Sequence, residues 1–105
     1  MKQDKVLSMI GLAVKAGKVV SGEFSVEKAV KHGASFLVIV SEEASDNTRK
    51  KFSNMCEFYE VPIRFYGNRD DIGAAMGKEY RVSLAITDEG FGKAILKLLN
   101  NNSAL

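Results

Sequence analysis

Apolar side chains along the chain follow a helical period in several segments. Within residues 3–16 they recur three and four positions apart, while Lys5, Ser8 and Lys15 fall on the opposite face. This pattern predicts an amphipathic helix, and Gly17 is a typical residue at its end. The same period predicts further helices at residues 23–32, 45–59 and 70–76, and from Asp88 onward.

Short apolar segments without a helical period lie between these helices. The segment Phe36–Val40 is apolar throughout, which is typical of a strand covered on both faces by helices. Three more strands are predicted at residues 18–20, 63–66 and 82–87. Strands alternating with helices predict an α/β fold: a three-layer α/β/α sandwich with five helices and a four-stranded mixed, mostly parallel sheet. We expect residues 1–105 to form a single domain.

Composition narrows the classes of function. The chain has 105 residues, with 15 Lys and Arg against 13 Asp and Glu, and a formal net charge of +2. One cysteine and one histidine argue against a disulfide framework, and no metal site is predicted. The apolar stretch Val6–Val14 is too short to span a membrane. It is interrupted by Ser8 and Gly11 and no cleavage site follows, so we expect no secretion signal and predict a cytoplasmic location.

Signatures of catalysis are absent from the sequence. No glycine-rich dinucleotide or nucleotide loop follows a predicted strand, and there is no nucleophile elbow. Cys56 falls on the inward face of the third helix and is predicted to be buried and structural. His32 stands at the end of the second helix, where an imidazolium interacts favourably with the helix dipole. We therefore predict no catalytic residue and no cofactor.

Several other motifs are better explained by structure than by chemistry. The acidic pairs Glu42-Glu43 and Asp70-Asp71 each stand at the start of a predicted helix, where carboxylates accept hydrogen bonds from free N–H groups. Gly73 and Gly77 are predicted to serve close packing and a helix end rather than a phosphate. The run Arg49-Lys50-Lys51 is predicted to form a solvated helix face.

A separate set of basic residues lies near helix starts and in one loop. This set comprises Lys18, Lys28, Arg69, Lys78 and Arg81. In a parallel sandwich such segments can converge at one end of the sheet, where clustered cations and free N–H groups bind phosphates. Tyr80 lies between two of these cations and offers a ring on which an unpaired base stacks. This arrangement points to a nucleic-acid ligand.

Three groups of motifs keep a fixed order along the chain. They are Lys18-x-x-x-Gly22 with Lys28-Ala29; Cys56, Val61-Pro62, Ile72-Gly73 and Gly77; and Thr87-Asp88-Glu89-Gly90-Phe91. Together they resemble the kink-turn RNA-binding ribosomal protein superfamily, which includes an archaeal large-subunit protein and eukaryotic small-nucleolar relatives. The likeness covers about residues 3–99, and it is strongest to small bacterial members of the YlxQ type.

The resemblance assigns roles to residues at the start of the second helix. In the superfamily a glycine opens this helix, an Asn-Glu pair reads the sheared G·A pairs of the kink, and a lysine one turn later contacts the RNA backbone. Gly22 and Lys28 match this pattern, whereas Phe24 and Ser25 occupy the Asn-Glu positions. Glu23, one residue earlier, is the carboxylate that remains as an acceptor for guanine donors.

The resemblance also covers the region around the fourth helix. Arg69 corresponds to a lysine of that helix, and residues 78–81 correspond to the loop that packs on a flipped-out nucleotide. The RNA-binding residues predicted in this way are Lys18, Ser21, Gly22, Glu23, Phe24, Ser25, Lys28, Arg69, Lys78, Glu79, Tyr80 and Arg81.

The function implied by the resemblance is non-catalytic binding of structured RNA. The expected partner is a kink-turn or related bent RNA, ribosomal or otherwise non-coding, with the ribosome or translation as its setting. Neither DNA nor a membrane is expected as a partner. One alternative is a protein-interaction module of the translation machinery that has lost base-specific recognition. Another is a small enzyme acting on RNA or nucleotides, for which the sequence offers no nucleophile, base or cofactor loop.

Overall fold

The computed structural model describes residues 4–103, and in this range five helices and four strands alternate as predicted. Their order is α1 (Lys5–Lys15), β1 (Val19–Ser21), α2 (Glu23–Lys31), β2 (Leu37–Val40), α3 (Asp46–Tyr59), β3 (Ile63–Phe65), α4 (Arg69–Ala75), β4 (Ser83–Ile86) and α5 (Glu89–Ser103). Most boundaries differ from the predicted ones by one or two residues. Residue 3, included in the first predicted helix, lies outside the described residues.

The sheet has the strand order β1-β4-β2-β3. β2 pairs in parallel with β3, whereas β4 runs antiparallel to both of its neighbours, β1 and β2. The sheet is therefore four-stranded and mixed, as predicted. It is mostly antiparallel, however, so the prediction of a mostly parallel sheet is wrong.

The direction of β4 follows from the place where the chain enters it. Val40 pairs with both Phe65 and Ser83, so β3 ends and β4 begins at the same edge of the sheet. After α4 the chain re-enters the sheet at the edge where it left β3, so β4 runs back along β2 in the direction opposite to β2 and β3. The sequence of β4 carries no mark of direction, because all four of its residues are buried.

Helices cover both faces of the sheet and give three layers. On one face, buried residues of α1, α4 and α5, among them Ile10, Ile72 and Ile95, pack against Leu37 and Ile39 of β2. On the other face, buried residues of α2 and α3 pack against Val38 and Val40 of the same strand. Successive strand residues point to opposite faces, so the unbroken apolar run of β2 supplies both halves of the core.

Polar side chains fix where several helices begin. Asp4 accepts a hydrogen bond from the N–H of Leu7 at 3.0 Å, and Ser45 accepts one from Thr48 at 3.2 Å. Asn68 accepts one from the N–H of Asp71 at 2.7 Å. Side-chain oxygens at these positions satisfy N–H groups that have no partner within the helix. Arg69 is consequently the first residue of α4, not a residue before it as predicted.

Cys56 is buried in the core between α3 and the sheet, as predicted. Burial raises the pKa of its thiol to about 11, because the charged thiolate loses its hydration. At neutral pH the thiol is therefore neutral and inaccessible, and we expect a thiol-specific reagent to react far more slowly with the folded protein than with the protein in urea. Equal rates in both conditions would contradict this placement.

Candidate nucleic-acid interface

One edge of the sheet collects the starts of three helices. β1, β2 and β3 end at this edge and lead into α2, α3 and α4, while β4 begins there. The first N–H groups of a helix have no intrahelical partner, and the helix dipole makes this end positive. We call this edge of the sheet the upper edge. Ser45 and Asn68 cap the starts of α3 and α4 there, whereas the start of α2 has no side-chain cap, so it is the start of α2 that favours an anionic ligand.

A depression of about 430 Å³ opens at the upper edge, between α2, α3 and the segment that leads into β4. Its lining consists of Ser21, Gly22, Glu23, Thr48, Phe52, Tyr80, Arg81, Val82 and Ser83. The start of α2 and the loop after α4 are far apart in the sequence. The fold brings them into contact, and both line the same depression.

Gly22 shapes the start of α2. Its backbone φ is +91°, a conformation that favours glycine, and its N–H donates to the carbonyl of Ser83 at 3.0 Å. This hydrogen bond fastens the start of the helix to β4. A glycine at this position has no side chain to cap the helix, so the first-turn N–H groups beside the depression are left for a ligand.

Arg81 is held in place by three hydrogen bonds. Its Nε donates to Ser21 Oγ at 2.9 Å, and its Nη1 donates to the carbonyl of Tyr80 at 2.8 Å. Its backbone N–H donates to the carbonyl of Arg69 at 3.0 Å. A guanidinium has five N–H donors, more than the two side-chain contacts use. Arg81 therefore offers a fixed cation with donors to spare beside the start of α2.

The loop that carries Tyr80 rests directly on α4. A Cβ added to Gly73 would lie 2.4 Å from the Tyr80 Cα, so only glycine permits this approach. The N–H of Lys78 donates to the carbonyl of Gly73 at 2.7 Å. The close packing predicted for Gly73 is thus confirmed, and its partner is the 78–81 loop. Gly77 adopts a φ of +71° just after the helix, also as predicted.

Tyr80 and Arg69 form a second part of the same surface. The Tyr80 side chain is 53% exposed, and the Cζ of Arg69 lies 5.8 Å from the centroid of its ring. Glu43 accepts a hydrogen bond from the backbone N–H of Arg69 at 3.0 Å and lies 4.0 Å from its guanidinium. The carboxylate therefore caps α4, not the helix that follows it in sequence, and it offsets part of the positive charge of Arg69.

The outer face of α2 carries an aromatic ring beside a cation. Phe24 is 79% exposed, which excludes the role of a buried staple for this helix. Lys28 lies one turn further on and is exposed, while Ser25 is half-buried. Phe24 and Lys28 line a shallow groove of about 330 Å³ on this face. This groove begins at Phe24, the residue that follows Glu23 of the depression, and shares no lining residue with the depression.

The structure does not gather all predicted cations at one rim. Lys18 lies at the other end of β1, where its carbonyl accepts a hydrogen bond from the N–H of Thr87 at 2.8 Å. Four extended residues, about 13 Å, separate it from Gly22. Lys78 and Glu79 are exposed at the start of the loop. The expectation of a single rim is therefore wrong for Lys18, whereas Arg69 and Arg81 do come together near the depression.

α3 contributes a wall that the sequence did not predict. Thr48 and Phe52 line the depression, and Lys51 between them forms ion pairs with Glu23 at 2.8 Å and Glu27 at 3.0 Å. Lys51 belongs to the basic run predicted to be a solvated face. No motif within α3 indicates that this helix packs beside α2. The contribution of α3 to the depression could therefore not be predicted from the sequence.

Other ligand classes receive no support within residues 4–103. In this range, no group of three or more His, Cys, Asp or Glu side chains is arranged to hold a metal ion. Within the same residues, no helix is both long enough and apolar enough to cross a membrane.

Comparison with known proteins reveals clear relatives. The protein named RNA-binding protein YlxQ from Bacillus subtilis (strain 168) is 42% identical over 92 residues, which cover 88% of this chain and 92% of that protein. The large ribosomal subunit protein eL30 of Trypanosoma brucei brucei is 34% identical over 91 residues, or 85% of this chain and 87% of that protein.

Solved structures share the fold. A protein with unknown function from Bacillus halodurans C superposes with a TM-score of 0.91 at 39% identity, covering 93% of this chain and 99% of that one. A 15.5kD RNA binding protein of Giardia lamblia, 19% identical, superposes with a TM-score of 0.79 over 99% of this chain and 92% of its own. At the level of sequence, the family model described as Ribosomal protein L7Ae/L30e/S12e/Gadd45 family matches residues 4–96. The chain therefore belongs to the ribosomal protein L7Ae/L30e/S12e/Gadd45 family.

Proposed function

We propose that this protein binds structured RNA, without catalysis, in association with the ribosome or translation in the cytoplasm. The observation that carries the proposal is the fixed position of Arg81, which Ser21 holds beside the uncapped start of α2 and the exposed ring of Tyr80. Relatives named as an RNA-binding protein and as large ribosomal subunit proteins support it.

The proposed contacts follow from the chemistry of each group. Phosphates approach the N–H groups at the start of α2 and the guanidinium of Arg81, because both present donors and positive charge. A base that leaves the helical stack packs on the exposed ring of Tyr80, beside Arg69. The exposed Phe24 ring offers a second apolar contact, and Lys28 contacts the backbone one turn along α2.

The preferred RNA is one whose backbone bends sharply, such as a kink-turn. A concave surface lined by the start of α2 and by Tyr80 and Arg81 fits a bent backbone better than the side of a straight duplex does. Phe24 and Ser25 stand where the superfamily carries its Asn-Glu pair, and each lost base contact costs about 1–3 kcal/mol. We therefore expect weaker binding than a chain with both base-reading groups would show.

Binding to a kink-turn RNA and to a straight duplex of equal length tests the proposal. The dissociation constants are measured over a series of salt concentrations, because phosphate contacts make the affinity fall with salt. We expect the kink-turn RNA to bind more tightly at every salt concentration. Equal and uniformly weak binding to both RNAs would contradict the proposal.

Lys28→Ala provides a test of the backbone contact. Removing one phosphate contact is expected to weaken binding and to reduce the slope of log affinity against log salt by about one. Lys15→Ala is the matched control, because Lys15 is an exposed lysine of α1 on the other face of the sheet. An unchanged slope for Lys28→Ala would show that Lys28 does not lie at a phosphate.

The exposed Phe24 favours one alternative, a protein-interaction surface on the translation machinery. Phe24 is 79% exposed, and aromatic side chains are enriched in the buried centres of protein–protein interfaces, so its ring could anchor a partner protein. Nuclease treatment of the isolated complexes distinguishes the two functions. Complexes that survive the treatment would favour a protein partner, whereas an RNA-binding function predicts that they dissociate.

A further inference from the structure

β1 forms one edge of the sheet, and within residues 4–103 no further strand pairs with its outer side. The carbonyl of Lys18 accepts a hydrogen bond at 2.8 Å from the residue after β4, and the N–H of Gly22 donates one at 3.0 Å to the first residue of β4. Because backbone groups alternate along an antiparallel strand, those of Val19 and Ser21 point away from the sheet. All three residues of β1 are half-buried, so this outer edge reaches the surface.

A groove of about 370 Å³ opens between β1 and α2. Its lining includes Val20 of β1, Lys28 of α2 and His32 at the end of α2. Side chains alternate between the two faces of a strand, so Lys18 lies on the same face of β1 as Val20, which is the face that α2 covers. A segment added to the outer edge of β1 would place every second side chain on this face, at the groove.

The charged side chains at this groove are basic. Lys28 lines the groove and Lys18 stands at the end of β1, and both are exposed. Within residues 4–103 neither forms an ion pair, whereas Lys31 and Lys51 bind Glu27 at 2.7 and 3.0 Å. Among the described residues, no carboxylate lines the groove. A strand with acidic side chains at alternating positions would bring opposite charges to both free lysines, and such cross-strand pairs stabilise a sheet.

A second copy of this chain suits the outer edge less well. Two β1 strands paired about a two-fold axis would place both grooves side by side on the same face of the joined sheet. Each groove carries its own Lys28 and no carboxylate, so like charges would face each other. The occupant that fits the charge is therefore an acidic segment of another protein.

We propose that the outer edge of β1 is a docking site for an extended acidic segment of a partner protein, which pairs with β1 as an added strand. The backbone groups of Val19 and Ser21 supply the hydrogen bonds, and Lys18 and Lys28 select acidic side chains. This inference goes beyond the proposed RNA binding and does not depend on it. It also gives a role to Lys18, which lies away from the depression.

Two capped synthetic peptides test the charge preference, one of alternating glutamate and valine and one of alternating lysine and valine. Their dissociation constants are measured by NMR titration without RNA, because Lys28 also belongs to the proposed RNA surface. We expect the acidic peptide to bind about tenfold more tightly, since it forms opposite-charge pairs with two lysines. Equal binding of the two peptides would contradict the inference.

Lys28→Glu is expected to bring the ratio of the two affinities close to one, because the groove then carries one charge of each sign. Lys15→Glu is the matched control, since Lys15 is an exposed lysine of α1 on the other face of the sheet. It makes the same change in net charge and is expected to keep most of the preference for the acidic peptide. Equal effects of the two substitutions would show that the preference is non-specific.

Hydrogen exchange at three neighbouring amides tests the strand pairing itself. The N–H of Val20 bonds to β4 and is expected to exchange slowly in the free protein, whereas those of Val19 and Ser21 exchange faster. The acidic peptide is expected to slow exchange at Val19 and Ser21. Methylating either its valine nitrogens or its glutamate nitrogens is expected to weaken binding at least about tenfold in one case only, because only every second residue bonds to β1.

Three results would overturn the inference. The first is unchanged exchange at Val19 and Ser21 when the protein is saturated with the acidic peptide. The second is slower exchange on raising the protein concentration alone, which would assign the outer edge to a second copy of the chain. The third is slower exchange with a kink-turn RNA but not with the peptide, which would assign it to RNA. Each result leaves the proposed RNA binding at the depression unaffected.

Discussion

Gly73→Ala is expected to displace the 78–81 loop and to remove most RNA binding. The added methyl group would lie 2.4 Å from the Cα and 2.7 Å from the backbone N of Tyr80, so α4 or the loop has to move. Inserting a methyl group into such a close contact typically costs about 1–3 kcal/mol of folding free energy. Tyr80 and Arg81 move with the loop, and losing their contacts is expected to weaken RNA binding at least about tenfold.

Gly11→Ala is the matched control for this substitution, because Gly11 also lies inside a helix. A Cβ there would lie 3.5 Å from the carbonyl oxygen of Ala75, an ordinary contact. Alanine is the better helix former, so this variant is expected to gain up to about 1 kcal/mol of stability and to bind RNA normally. Urea unfolding and RNA titration of both variants provide the measurement. A Gly73→Ala protein with unaltered stability and affinity would contradict the packing described for the loop.

Arg81→Ala is expected to weaken RNA binding about 10- to 100-fold while leaving the protein folded. The guanidinium is oriented by Ser21 and the Tyr80 carbonyl, so the substitution removes a fixed phosphate contact and loosens the loop. Losing a contact of this kind typically costs about 1–3 kcal/mol of binding free energy. Arg81→Lys keeps the charge but not the planar fork of donors, and an intermediate affinity is expected.

Arg64→Ala is a control with unusually similar chemistry. The Arg64 Nε donates to Asn100 at 3.3 Å, and its Nη1 donates to the carbonyl of the preceding residue at 2.7 Å, which reproduces the contacts of Arg81. Arg64 lies on β3, however, and does not line the depression. Its removal is expected to leave RNA affinity within about twofold, since only non-specific attraction is lost. An equal loss of RNA affinity in Arg81→Ala and Arg64→Ala would contradict a specific contact by Arg81, because non-specific charge attraction would then explain both losses.

Much of the fold follows from local sequence patterns. The five consecutive apolar residues at 36–40 indicate a strand that is buried on both faces. The structure confirms this for β2, Leu37–Val40, whereas Phe36 precedes the strand and is 42% exposed. Gly17 and Gly77 indicate helix ends, and both adopt positive φ. The direction of β4 could not be predicted, because it depends on which edge the chain occupies after α4 and not on the residues of the strand.

The candidate site was only partly predictable for a related reason. Gly22 and the 78–81 loop were found through the spacing of motifs, and the fold brings them to one depression. Lys18 does not lie at this depression, because β1 separates it from Gly22 by a full strand length. The contacts of Lys51 are not predictable from its own segment, because its partners Glu23 and Glu27 lie on another helix. A contact between charged residues of two separate helices does not alter the spacing of apolar residues in either helix, so the sequence pattern does not reveal it.

We propose that the start of α2 and the 78–81 loop form one RNA-binding surface. The most direct test is an NMR titration of the isotope-labelled protein with a kink-turn RNA, following every backbone amide. We expect the largest changes in chemical shift to cluster at residues 21–28 and 78–81, with little change in α1 and α5 on the far face of the sheet. Changes centred on α1 and α5, or confined to only one of the two predicted segments, would contradict it.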